Sequence, residues 1–120
     1  MIKEAFVSFE VAKLLKEKGF VESCYGRYSV RSKDFHLDTT KPCNNGSNFL
    51  YCAPTHQMAM AWLRENGIII EILHVTSKPS NDGWFYSYQK NNDSETNLIE
   101  YPSYEDAVET ALKYVLKNLI

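Results

Sequence analysis

The sequence predicts one α+β domain spanning residues 1–120: a small, mostly antiparallel sheet of three to four strands, covered on one face by three helices. Three observations predict it. Apolar residues recur at helical spacing in "VAKLLKE", "MAMAWLRE" and "DAVETALKYVLKNL". They alternate in twos in "IIIEILHV" and "WFYSYQK", as half-buried strands require. Between those two runs lies "TSKPSNDG", whose Pro79 and Asp82-Gly83 punctuate a turn, so the runs pair as a hairpin. With 120 residues, 44% of them hydrophobic, the chain can bury one ordinary core.

The first helix is expected over 9–18. Ser8 caps its N-terminus and Glu10 sits near the positive end of the dipole. Val11, Leu14 and Leu15 share a face opposite Lys13, Lys16 and Glu17. Gly19 supplies the left-handed stop, and Phe20 folds back onto the last turn. "YGRYSVRS" reads as a short edge strand on the alternation of Tyr28 and Val30, with "FHLD" extending or pairing with it. Residues 38–48, "DTTKPCNNGSN", are turn formers and read as a loop; "FLY" is a brief strand. Thr55 caps a second helix, "HQMAMAWLREN", whose Met58, Ala61 and Trp62 share a face, and Gly67 stops it.

The strand that follows places Ile68, Ile70, Ile72 and His74 on one side and Ile69, Glu71, Leu73 and Val75 on the other. Its partner places Trp84, Tyr86 and Tyr88 against Phe85, Ser87 and Gln89. "NNDSETN" reads as a polar loop and "LIEY" as a last short strand. Ser103, with Asp106 three residues on, opens the final helix. The order is therefore α-β-α-β-β-α. The isoleucines with Trp84, Tyr86 and Tyr88 form the larger apolar face and belong to the core. The other face, with Ile69, Leu73, Val75 and Phe85 around Glu71 and Ser87, is too apolar for water unless an element or a partner covers it.

Composition narrows the function. A formal net charge of −2 and a pI near 5.9 provide no global basic field for nucleic acid. No segment has the run of about 20 apolar residues that spans a bilayer, so no membrane partner is expected. The N-terminus, with Glu4 and Glu10, lacks the apolar run of a signal peptide, so a cytoplasmic location is expected. There Cys24, Cys43 and Cys52, an odd number, are expected as free thiols.

The stretches "FVSFEVAKLLKEKGF", "CAPTHQMAMAWLRE" and "SYEDAVETALKYVLKNLI" resemble a family of small proteins of unknown function encoded by gut bacteria, their phages and other mobile elements. The likeness covers the first helix, the Ala-Pro-Thr helix, the isoleucine strand and the last helix. In similar sequences a Lys often stands where this chain has Ala61. The resemblance implies a bacterial or phage accessory protein and brings no activity and no catalytic residues.

The densest chemistry lies in "YCAPTHQMAMAWLRENG". Cys52 just ahead of a helix N-terminus with His56 four residues on is the pattern of an activated thiol and its base, although no Asp, Asn or Glu nearby orients the histidine. Cys43, Cys52 and His56, with Cys24 or His36, lack the tight C-x₂₋₄-C knuckle of structural zinc, and no metal is expected. His36 and His74 are candidates for an acid–base pair, Glu65, Glu71 and Glu100 are single carboxylates, and no glycine-rich phosphate loop occurs. No cofactor is implied. The reading is a non-enzymatic protein that binds a protein partner or itself through Ile69, Leu73, Val75 and Phe85. The rivals are a small hydrolase or transferase using Cys52 and His56, and a single-stranded nucleic-acid binder using Lys13, Lys16, Tyr86 and Tyr88 with Lys90.

Overall fold

The computed structural model describes residues 3–75 and 83–120. It shows the α+β class: helices α1 (Phe9–Glu17), α2 (His56–Glu65) and α3 (Tyr104–Asn118), with strands β1 (Gly26–Ser29), β2 (Phe35–Leu37), β3 (Leu50–Ala53), β4 (Ile68–His74), β5 (Trp84–Lys90) and β6 (Asp93–Tyr101). The strands form two antiparallel sheets, ordered β2-β1-β3 and β4-β5-β6. The element order is thus fuller than the expected α-β-α-β-β-α, and one expected sheet is two. The turn expected at Thr76–Gly83 lies, apart from Gly83, outside the described residues.

Each helix begins where a hydroxyl can cap it. Val11, Met58 and Asp106 donate their backbone N–H to the side-chain oxygens of Ser8, Thr55 and Ser103 at 3.3, 3.2 and 3.1 Å. The end of α1 is set by Gly19 at φ 93°, which lets Phe20 N–H reach the Leu15 carbonyl at 2.9 Å and Gly19 N–H reach that of Lys16 at 3.2 Å. Phe20 is thereby fully buried, edge-on to Trp62 with centroids 5.5 Å apart. We expect Thr55→Ala to lower stability by about 1 kcal/mol in urea denaturation, since Met58 N–H loses its partner. A wild-type curve would show that the cap contributes nothing.

Polar "NNDSETN", expected as a loop, is corrected by the structure. Asn91, at φ 56°, and Asn92 form a two-residue turn between Lys90 and its partner Asp93, and β6 runs from Asp93. An edge strand exposed to water can be polar at nearly every position, so alternation does not mark it. β5 and β6 are also out of step between Trp84 and Tyr86: Trp84 pairs Tyr101 while Tyr86 pairs Asn97, an irregularity that puts Leu98 and Ile99 in the bulge.

The main core lies between the second sheet and the helices. Ile68, Ile70 and Tyr86 are buried there, with Ile72, Trp84 and Tyr88 half-buried on the same face. α3 contributes Ala107, Val108, Ala111, Leu112, Val115 and Leu116, all fully buried. The first sheet packs on α1 through aromatic contacts, Phe9 meeting Tyr28 and Tyr51 at 5.7 and 5.3 Å. Gly26 is required there, because a Cβ would stand 2.5 Å from the Ala53 carbonyl oxygen. Chain segment 5–7 lies along the start of α2: Val7 N–H donates to the Pro54 carbonyl at 3.0 Å and His56 N–H to that of Ala5 at 2.9 Å. This places Ser8, His56 and the middle of α3 together.

Candidate functional site

The outward face of the second sheet carries Ile69 and Leu73 from β4 and Val75 just beyond its end, at 41%, 41% and 39% exposure, with half-buried Phe85 from β5 paired to Leu73. Leu98 and Ile99 in the β6 irregularity are also exposed, at 81% and 62%. No described element covers this face. The charged residue of β4 on this face is Glu71, whereas Asp93 and Glu95 pair Lys90 and Tyr88 on the helix-covered side, where the Lys90 ammonium donates to the Leu119 carbonyl. A shallow depression of about 260 Å³ between Ile69, Glu71, Ser87, Gln89 and Thr96 interrupts the apolar surface with polar groups. The arrangement is an apolar patch with Glu71 at its centre.

The second cluster is internal. His56 is 4% exposed, and its Nε2 lies 2.8 Å from Glu109 Oε1. The same carboxylate oxygen accepts the Ser8 backbone N–H at 2.8 Å. Burial pushes the Glu109 pKa up, but the hydrogen bonds from His56 and Ser8 outweigh it and hold the carboxyl below its ordinary range. An ionised Glu109 only accepts, so Nε2 carries the proton in this bond. His56 Nδ1 and Glu109 Oε2 are both buried without a partner among the described residues. The histidine therefore has its orienting carboxylate after all, 53 residues away on another helix. The signal for it was a carboxylate three and seven positions ahead of Leu112 and Leu116, on the stripe of α3 that faces inward.

The thiol half of the "YCAPTHQ" pattern is placed differently. Cys52 is fully buried and bonded to Cys43, with Cα atoms 5.7 Å apart, which corrects the expectation of three free thiols. The pairing depends on two contacts that spacing does not reveal. Cys43 and Cys24 exchange backbone hydrogen bonds at 2.7 and 2.9 Å, and Asn45 Oδ1 accepts the Cys52 N–H at 2.8 Å. Cys24 stays free, and burial pushes its thiol up to about 11. The cavity that His56 lines is not lined by Cys52, so the two share no exposed cleft.

The remaining candidates are dispersed. His36 pairs Arg27 in the first sheet, whereas His74 lies against the Trp84 ring in the second at 4.4 Å. Lys16 donates to the Ser47 and Leu50 carbonyls and Lys18 to that of Ile120. Tyr86 is buried with its hydroxyl bonded to Asn97, and the Tyr88 hydroxyl donates to Glu95 at 2.8 Å. Among the described residues, no three His, Cys, Asp or Glu side chains are grouped to hold a metal ion, and no helix is long and apolar enough to cross a membrane.

Fold and site together define a small α+β domain with one helix-covered sheet, an uncovered outer face on that sheet, and an internal histidine–glutamate pair. No protein-family model, no curated protein and no solved structure matches the chain.

Proposed function

We propose that this protein is a binding module whose uncovered sheet face docks a protein partner presenting a lysine or arginine among apolar side chains. The observation that carries the reading is the joint exposure of Ile69, Leu73 and Val75, beside Phe85, around an acidic Glu71 on a face that no described element covers. Charge argues for a heterologous partner over a second copy. A twofold pairing centred on this face would set Glu71 against its own copy, and like charges brought together are costly. The resemblance of "CAPTHQMAMAWLRE" and the closing helix to proteins of gut bacteria and phages supports an accessory role in such a host. A cytoplasmic location fits that role, but a reducing cytosol would open the Cys43–Cys52 bond, so the thiol state in cells reports the compartment.

The test is quantitative capture from a lysate of the source organism. Leu73→Asp and Glu71→Lys, checked for unchanged melting, should each lower recovery of the wild-type partner by about tenfold or more. Lys13→Glu on α1 should leave it unchanged. Identical recovery by all four proteins sinks the reading, and concentration-dependent mass in light scattering would replace the heterologous partner with a second copy.

A further inference from the structure

Two Asn-Gly bonds occur in the chain, Asn45–Gly46 and Asn66–Gly67. Such bonds are chemically labile. The glycine nitrogen can attack the asparagine side-chain carbonyl, and glycine has no side chain to obstruct the approach. The attack needs a free backbone nitrogen and a side chain free to swing over it. Both bonds are restrained in the fold, by different means.

The side-chain amide of Asn45 is held at both ends. Its Oδ1 accepts the Cys52 N–H and its Nδ2 donates to the Phe20 carbonyl, each at 2.8 Å. The Asn45 backbone N–H donates to Cys52 Sγ at 2.9 Å, and the Gly46 N–H is engaged with Asn44 Oδ1 at 3.2 Å. Two of these bonds end on Cys52, which is tied covalently to Cys43, two residues before Asn45. The disulfide therefore closes the ring that immobilises the amide. Asn66 is restrained without cysteines. At the end of α2 its Nδ2 donates to the Trp62 carbonyl at 2.8 Å, and the Gly67 N–H donates to that of Arg64 at 3.1 Å.

We propose that Asn45 is a redox-gated modification site, shut while Cys43–Cys52 is intact and open to spontaneous deamidation once a dithiol reductant opens that bond. The dithiol is oxidised to its own disulfide and leaves two cysteine thiols. The Gly46 nitrogen then gives up its proton and bonds to Asn45 Cγ, the Cγ–Nδ2 bond breaks, and ammonia leaves with that proton. Water opens the resulting succinimide to an aspartyl or isoaspartyl residue, with no further change in oxidation state. The product sets a carboxylate against the Phe20 carbonyl, acceptor facing acceptor at a half-buried position that had held a donor. The disulfide then re-forms less readily, so the change records that the bond was once open. This site is separate from the sheet face and does not depend on the partner proposed there.

The full chain is kept in mildly alkaline buffer with and without dithiothreitol, and peptide mapping by mass spectrometry follows aspartate and isoaspartate formed at Asn45 and Asn66. Deamidation of Asn45 should run about tenfold or more faster with the reductant, because local opening loses the cross-link that opposes it. Asn66 should keep one rate in both buffers. Cys52→Ser without reductant should deamidate at Asn45 as fast as the reduced wild type. In a dithiothreitol redox buffer that leaves half of the wild type oxidised, Asn45→Asp should show a thiol-to-disulfide ratio about threefold or more higher. Equal rates at Asn45 in the two buffers overturn the gate. So does a parallel acceleration of Asn66, which would mark general unfolding, or a Cys52→Ser protein that deamidates as slowly as the oxidised wild type. Asn45→Asp remaining as oxidised as wild type overturns the record of past reduction.

Discussion

Glu109→Ala should destabilise the protein by about 3 kcal/mol at pH 7, measured by urea denaturation, whereas Glu109→Gln should cost only about 1 kcal/mol. The carboxylate holds two donors at 2.8 Å, the His56 ring and the Ser8 backbone N–H. Alanine strands both in a site that water barely reaches, since His56 is 4% exposed, and an unpaired buried donor costs its full desolvation. Glutamine keeps an acceptor oxygen for both, losing the charge and placing an NH₂ where the buried, unpartnered Oε2 stood. A loss under about 0.5 kcal/mol for Glu109→Ala would mean that the cluster contributes nothing to folding.

The same comparison carries a pH signature. Glu109 has a folded pKa below its ordinary value of 4.5. A carboxyl depressed in the folded state stabilises it above the unfolded pKa, and that contribution is lost as pH falls through the folded value. The stability difference between wild type and Glu109→Gln should therefore be constant above about pH 5 and shrink below pH 4.5. A difference that stays flat down to pH 3 would separate the charge of Glu109 from its hydrogen bonds.

Reducing the Cys43–Cys52 bond should cost about 2.6 kcal/mol on the chain-entropy account of a cross-link nine residues apart. For a chain of 120 residues this corresponds to a melting temperature lower by about 10 °C in the presence of a phosphine reductant. Cys52→Ser should melt near the reduced wild type and no longer respond to reductant. Thiol counting in denaturant should find one free cysteine before reduction, Cys24, and three after. Unchanged melting on reduction would show that the contacts around Asn45 hold this segment without the bond. Those contacts are substantial: Asn45 accepts from Cys52 N–H and donates to the Phe20 carbonyl at 2.8 Å.

Much of the fold can be read one segment at a time. Ser8, Thr55 and Ser103 cap the three helices as expected, because a cap is a bond between residues three apart and needs no tertiary partner. Gly19 and Gly67 end α1 and α2 at positive φ for the same local reason. The alternation of Ile68, Ile70 and Ile72 with Trp84, Tyr86 and Tyr88 identifies the core face of the second sheet, since side chains in a strand must take opposite sides.

What local reading could not reach is whatever depends on distant segments meeting. β6 is polar because water, not the core, surrounds it, and only its pairing with β5 makes it a strand. That the six strands of the described residues split into two sheets follows from pairing choices that a chain's periodicity does not record. Cys43 reaches Cys52 because Cys24 holds it in place, and Glu109 reaches His56 because segment 5–8 ties the start of α2 to α3. Helix and cap are settled by interactions a few residues long, which the order of side chains spells out; the inward face of α2 is not, since Ala59, Met60 and Leu63 are buried there and Met58, expected with Ala61 and Trp62, is 38% exposed. The carboxylate behind the histidine, the cysteine pair and the bare side of the sheet come from long-range packing, whose partners are chosen by three-dimensional fit and not by spacing along the chain.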